Sequence, residues 1–193
     1  MNQLEFLKKT RRSEMMEKKG LTLVYTGDGK GKTTSALGLT LRAVGRGYKA
    51  KIFQFIKSPQ RSYGEQIALQ KLGVDMVQLG IGFTWTKTPE EHREALRIGW
   101  PKAKEAVLSG EYDVVILDEL NNALSIETFP IEDVLPLQEV IDVIQNRPSH
   151  VHLVITGRNA KQEIKDVADL VSVIDVEKHY YNEGIPAVKG IEF

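Results

Sequence analysis

Two short stretches of this 193-residue sequence have the residue types and spacing to handle a nucleoside triphosphate. The first is Thr26-Gly27-Asp28-Gly29-Lys30-Gly31-Lys32-Thr33-Thr34, set between an apolar run and an Ala- and Leu-rich helical segment. A glycine-rich turn in that context lets successive backbone N–H groups face inward around phosphate oxygens, and the next helix adds the positive end of its dipole. Lys32 would pair with phosphate and the Thr33 hydroxyl would ligate Mg²⁺. The stretch departs from the pattern G-x-x-x-x-G-K-[ST] at its first position, where Thr26 stands with Gly27 beside it. The second stretch is Asp118-Glu119, directly after the apolar run Val114-Val115-Ile116-Leu117. Carboxylates in that place can hold Mg²⁺ directly or through water, and in many ATPases such a Glu activates the attacking water. Together the stretches imply triphosphate binding and leave its use open.

Other residues carry weaker signals. Arg42, in the helix after the loop, and Arg158, just past the run ending at Thr156, could each touch phosphate or ribose. Gly80-Ile81-Gly82-Phe83-Thr84-Trp85 places two large aromatics in a glycine-flanked loop, either as a plug for the core or as a platform for a flat apolar ligand. His150 and His152 alternate along one strand without a third ligand nearby and read as strand-edge residues, and His92 reads as a helix surface residue.

The elements that must position these residues alternate in type. Strand patterns run over 21–25, 51–56, 74–79, 114–117, 151–155 and 170–176. Helical spacing covers 34–44, 65–72, 131–145 (with Pro136 interrupting) and 160–168. Thr88-Pro89-Glu90-Glu91 has the form of a capping box that opens a further helix, which Pro101 should kink or break near Trp100. Apolar strands divided by helices predict an α/β fold: a mostly parallel six-stranded sheet with helices on both faces, ligands binding beyond the carboxyl ends of the strands. Residues 2–19 are polar and free of Gly and Pro, and read as a helical arm (1–20) before one domain spanning 21–193.

Composition narrows the function. Without cysteine there is no disulfide, thiolate metal site or cysteine nucleophile. Lys+Arg and Asp+Glu are equal at 26, so the basic excess of a general nucleic-acid binder is missing, although the first twenty residues carry six basic and three acidic side chains. No apolar run reaches the ~18 residues of a membrane span and the start is not a signal peptide, so a cytoplasmic protein is expected.

With these residues in view, the chain resembles the P-loop class of ATP:corrinoid adenosyltransferases. The matching stretches are the 26–34 loop, Arg42-Ala43-Val44-Gly45, Gln54-Phe55-Ile56-Lys57, Gly82-Phe83-Thr84-Trp85, Leu117-Asp118-Glu119-Leu120, Ile155-Thr156-Gly157-Arg158 and Lys189-Gly190-Ile191-Glu192-Phe193, in the family's order. The resemblance implies a RecA-like P-loop fold and transfer of the 5′-deoxyadenosyl group of MgATP to Co(I) of a corrinoid, with triphosphate leaving intact and ATP bound in reversed sense. It implies ATP contacts from Gly27, Asp28, Gly29, Lys30, Gly31, Lys32, Thr33, Thr34, Arg42 and Arg158, and Mg²⁺ on Thr33 and Glu119 with Asp118 nearby. Phe83 and Trp85 would cover the corrinoid's lower face. A homodimer, a flavoprotein electron donor and an N-terminal helix closing over the site are also implied. Asn121-Asn122 stands where the family often has Thr-Tyr, and Ser58-Pro59-Gln60-Arg61-Ser62-Tyr63 replaces a more glycine-containing stretch. The alternatives are a P-loop ATPase or kinase in which Glu119 activates water or a hydroxyl, and a corrinoid carrier or nucleotide sensor without turnover.

Overall fold

The computed structural model describes residues 19–60, 63–82 and 87–192. The expected N-terminal helical arm and the aromatic pair Phe83 and Trp85 lie outside the described residues. Six strands form one sheet: β1 (Thr22–Thr26), β2 (Ala50–Gln54), β3 (Asp75–Gln78), β4 (Val114–Asp118), β5 (His152–Thr156) and β6 (Leu170–Val173). Their order is β3-β2-β4-β5-β1-β6 and every pairing is parallel. One strand, β5, therefore lies between β1, which leads into the glycine-rich loop, and β4, which ends in the acid pair. The expected α/β architecture, a parallel six-stranded sheet with helices on both faces, is present.

Six helices connect the strands: α1 (Lys32–Val44), α2 (Gly64–Lys71), α3 (Pro89–Leu108), α4 (Leu120–Leu124), α5 (Leu137–Asn146) and α6 (Gln162–Asp166). Strand residues alternate between two cores, one on each side of the sheet, because successive side chains point to opposite faces. Ile52, Val114, Ile116 and Val154 pack under α1 and α2 with Ala36 and Leu69. Phe53, Val115, Leu117, Leu153 and Ile155 pack under α3 and α5 with Leu96, Trp100, Ala103, Val140 and Ile144. Covered on both sides, β4 is buried at all five positions, which is why its sequence is apolar up to Asp118.

Three expectations fail here. Pro101 neither breaks nor ends α3, which runs unbroken to Leu108 from the predicted Thr88–Glu91 capping box. Pro101 is exposed, so the helical carbonyl it leaves without an N–H donor faces water, while Trp100, Ala103 and Val107 anchor the helix on both sides of it. Trp100 also donates its ring N–H to Glu139 of α5 at 2.7 Å. His92 is buried rather than at the surface, stacked on Phe129 with ring centroids 5.9 Å apart. Pro136 sits just ahead of α5 as its N-cap, so that helix starts at Leu137 rather than near Ile131. No helix among the described residues is long and apolar enough to cross a membrane.

Candidate active site

The site lies at the carboxyl edge of the sheet, where β1, β2, β4 and β5 end. Past β1 the chain turns at Gly27, with φ +96°, and at Gly31, with φ +115°, conformations that side chains rarely adopt. Gly29 is needed for space: its N–H donates to the Ile174 carbonyl at 2.6 Å, and a Cβ there would fall 2.5 Å from the Asp175 carbonyl oxygen. Thr26, which takes the place of the usual first glycine, is buried and its Oγ1 accepts the Ala160 N–H at 3.2 Å. The departure thus ties the end of β1 to the loop after β5, and Gly27 supplies the turn in its stead.

Lys32, the first residue of α1, curls back over the loop and donates to the carbonyls of Gly27 at 2.7 Å and Gly29 at 2.6 Å. Burial, with the Arg158 charge acting in the same direction, lowers the pKa of its ammonium, against the pull of Asp28 and Glu119. Its neighbour Thr33 donates its hydroxyl to Asp118 Oδ1 at 2.8 Å, so loop and acid pair meet directly. Asp118 is fully buried and held on both oxygens: Thr156 also donates to Oδ1, at 2.7 Å, and Gln54 Nε2 donates to Oδ2 at 3.0 Å.

Glu119 follows in the left-handed region, with φ 62° and ψ 18°, its N–H donating to Thr156 Oγ1 at 2.9 Å. Its Oε2 is buried with no hydrogen-bond partner. Burial, with the Asp118 charge beside it, pushes its carboxyl up to about 7, despite the opposing Lys57, Lys32 and Arg158 charges. A Glu119 carboxyl whose charge is disfavoured by burial, with a free oxygen and the Asp118 carboxylate beside it, suits a divalent cation, which would favour the charged form of Glu119. Thr33, Glu119 and the engaged Asp118 therefore fit Mg²⁺. Among the described residues no group of three or more His, Asp or Glu is placed to hold a metal ion.

The remaining expected residues separate. Arg158 reaches the loop, its guanidinium 3.4 Å from the Asp28 carbonyl and 3.7 Å from the Asp28 carboxylate, and its own N–H donates to Asn122 Oδ1 at 2.9 Å. Asn122, at a departure from the family pattern, thus helps to seat Arg158. Lys30 instead forms an ion pair with Glu192, which also accepts from the Tyr180 hydroxyl, so the C-terminal Lys-Gly-Ile-Glu motif is latched to the loop. Arg42 is nine residues along α1 from Thr33, about 14 Å at the helical rise. There it lines a depression of about 430 Å³ with Ser35, Gly38, Leu39, Tyr25 and Ser172. His150 and His152 do not form a pair: His150 bonds the Gly110 carbonyl at 3.1 Å and His152 Nδ1 accepts from the Leu21 N–H at 3.1 Å.

Sequence reasoning passed over Gln54, Lys57 and Thr156 as site residues. Lys57 pairs with Glu65 and lies 4.7 Å from the centre of the Tyr63 ring. Burial works against its charge, but Glu65 and the acid pair outweigh it and raise the ammonium's pKa. The usable signal was a polar residue closing an apolar strand, as in Lys51-Ile52-Phe53-Gln54 and Leu153-Val154-Ile155-Thr156.

Comparison with known proteins agrees with this geometry. The family described as ATP:corrinoid adenosyltransferase BtuR/CobO/CobP matches residues 18–193. The chain belongs to that family. The corrinoid adenosyltransferase CobA of Salmonella typhimurium (strain LT2) is 38% identical over 182 residues, covering 94% of this chain and 89% of that protein. The corrinoid adenosyltransferase of Escherichia coli (strain K12) is 37% identical with the same coverage, and that of Sinorhizobium sp is 37% identical over 196 residues, covering 96% and 88%. The stretches 26–34, 117–120 and 155–158 stand at the carboxyl ends of β1, β4 and β5, which are neighbours in the sheet.

Proposed function

We propose that the carboxyl edge of this sheet binds MgATP so that the 5′-deoxyadenosyl group is transferred to Co(I) of a corrinoid, the reaction of the family to which the chain belongs. In that step Co(I) supplies the electron pair for the new Co–C5′ bond. The C5′–O bond breaks and its electron pair leaves with triphosphate. Co(I) is itself the nucleophile, so no side chain has to remove a proton.

The residues divide the work accordingly. The loop amides and Lys32 stabilise the charge that develops on the departing triphosphate, the class of interaction that is stronger in the transition state than in the ground state. Arg158 adds a second cation from the far side of the loop. Thr33 and Glu119 would hold Mg²⁺, with Asp118 orienting Thr33; when bound, the ion neutralises phosphate charge. The observation that carries this assignment is the buried, unpartnered Glu119 Oε2 beside the Thr33–Asp118 bond. Phe83 and Trp85 would form the apolar wall under the corrinoid, excluding water from that face of cobalt and easing reduction of Co(II) to Co(I). Residues 21–193 would act as one unit with residues 1–20 as an accessory arm. A cytoplasmic homodimer supplied with electrons by a flavoprotein completes the reading.

The raised carboxyl of Glu119 also suits a base that activates water, which favours an ATPase as the second reading. Anaerobic mixing of the protein with MgATP and chemically reduced cob(I)alamin separates the two. Adenosyl transfer yields a photolabile alkylcobalamin spectrum with stoichiometric triphosphate. ADP and phosphate without alkylcobalamin would overturn it in favour of hydrolysis.

A further inference from the structure

The Thr156 hydroxyl touches both residues of the acid pair. Thr156 closes β5 and is fully buried. Its Oγ1 donates to Asp118 Oδ1 at 2.7 Å and accepts the Glu119 N–H at 2.9 Å. A hydroxyl has one hydrogen and two lone pairs, and a carboxylate can only accept, so the bond to Asp118 fixes where the hydrogen lies and turns a lone pair to the Glu119 amide.

Each of those two bonds settles something different. The first, with the Thr33 and Gln54 donors, leaves Asp118 a single side-chain orientation in which both oxygens are used. The second holds Glu119 in the left-handed backbone region, which non-glycine residues rarely adopt, just where β4 hands over to α4. Beyond that turn the Glu119 Oε2 is buried and unpartnered. Gln54 is itself contacted from behind, Gln78 Nε2 lying 3.5 Å from its Oε1.

We propose that Thr156 is a positioning residue for the metal–nucleotide corner: through one hydroxyl it sets the Asp118 carboxylate and the Glu119 backbone together, so that the two acids meet a divalent cation as one unit beside Thr33. This rests on the reading of that corner as an MgATP site. Removing the hydroxyl while keeping the shape, as in Thr156→Val, takes one donor from Asp118 and the acceptor from the Glu119 N–H. Thr156→Ser keeps both bonds.

The test is calorimetric titration with ATP in the presence of Mg²⁺ and again in excess chelator, without corrinoid. Thr156→Val should weaken MgATP binding by about tenfold or more, the usual scale for loss of a group that orients metal ligands. Metal-free ATP binding should change by less than about threefold, and Thr156→Ser should stay within about threefold of the wild type in both titrations. Wild-type MgATP affinity in Thr156→Val, equal loss with and without metal, or equal loss in Thr156→Ser would each overturn the proposal. If Thr156→Val does not fold, Thr156→Ala is compared with Thr156→Ser by the same criteria. A wild-type protein that binds MgATP without alkylating cob(I)alamin would overturn the proposed reaction and leave the Thr156 test standing.

Discussion

Gly157→Ala offers a demanding check of how the site is assembled. Gly157 has φ +127°, and a Cβ there would lie 2.4 Å from Asn122 Oδ1, 2.8 Å from the Asn122 backbone nitrogen and 3.0 Å from Asn121 Cβ. Ordinary contact begins at 3.4 Å, so the methyl group cannot fit unless the start of α4 or the loop after β5 moves by about 1 Å. The crowding costs about 1–3 kcal/mol and the backbone conformation about as much again. For a chain of this size each kcal/mol lowers Tm by roughly 2–4 °C, so the expected fall is at least about 4 °C. Gly184→Ala isolates the backbone part, since Gly184 has φ +80° with nothing within 4 Å of the added atom. The same shift detaches Asn122 Oδ1 from the Arg158 N–H and carries Glu119 with it. A displacement of this size costs up to about 100-fold in rate when it misplaces reacting groups. Thermal unfolding of both variants, with kcat/KM for MgATP at saturating cob(I)alamin, tests the reasoning. A Gly157→Ala protein no less stable than Gly184→Ala, or with kcat/KM within threefold of the wild type, would refute it.

Lys32→Ala should lower kcat by about 100-fold or more, read as triphosphate released, with little change in Tm because the lost bonds go only to two loop carbonyls. Trp85→Ala should retain activity with pre-reduced cob(I)alamin and lose it in assays started from Co(II); equal loss in both would sink the proposed role of Trp85. Asp169 accepts the Thr22 N–H at 2.8 Å, which holds its carboxyl below the usual carboxylate range against a small burial effect, with Lys19 helping. A depressed folded value stabilises the protein above the unfolded value of about 3.9, and that contribution is lost as pH falls through the folded value. The Tm gap between wild type and Asp169→Ala should therefore be constant above about pH 5 and shrink below about pH 4. A gap that widens in acid would count against this linkage.

Much of the molecule was legible from residue order because its signals are local. The glycine-rich loop depends on glycines and a Lys-Thr pair consecutive in the chain, and the acid pair on two neighbours after an apolar strand. Strand and helix periods, and the Thr88–Glu91 capping box, are likewise properties of short segments. The Pro101 and His92 readings failed because each depended on which way a helix faces. Exposure makes the missing N–H at Pro101 tolerable, and packing against Phe129 buries His92. Segment patterns do not record what the opposite face of the sheet supplies.

The amino-acid sequence by itself determined the family, the sheet-and-helix alternation and which residue types stand at the strand ends, since these follow from residues at short spacing. Only the tertiary structure decided which of those residues meet. The order β4-β5-β1 brings Asp118 under two hydroxyls, from Thr33 and from Thr156, that lie 85 and 38 residues away along the chain. It also draws Lys30 to Glu192 and leaves Arg42 at the far end of α1. Hydrogen bonds between groups so far apart in sequence exist only after the sheet has closed, and the preferences of one segment carry no trace of the partners that closure delivers.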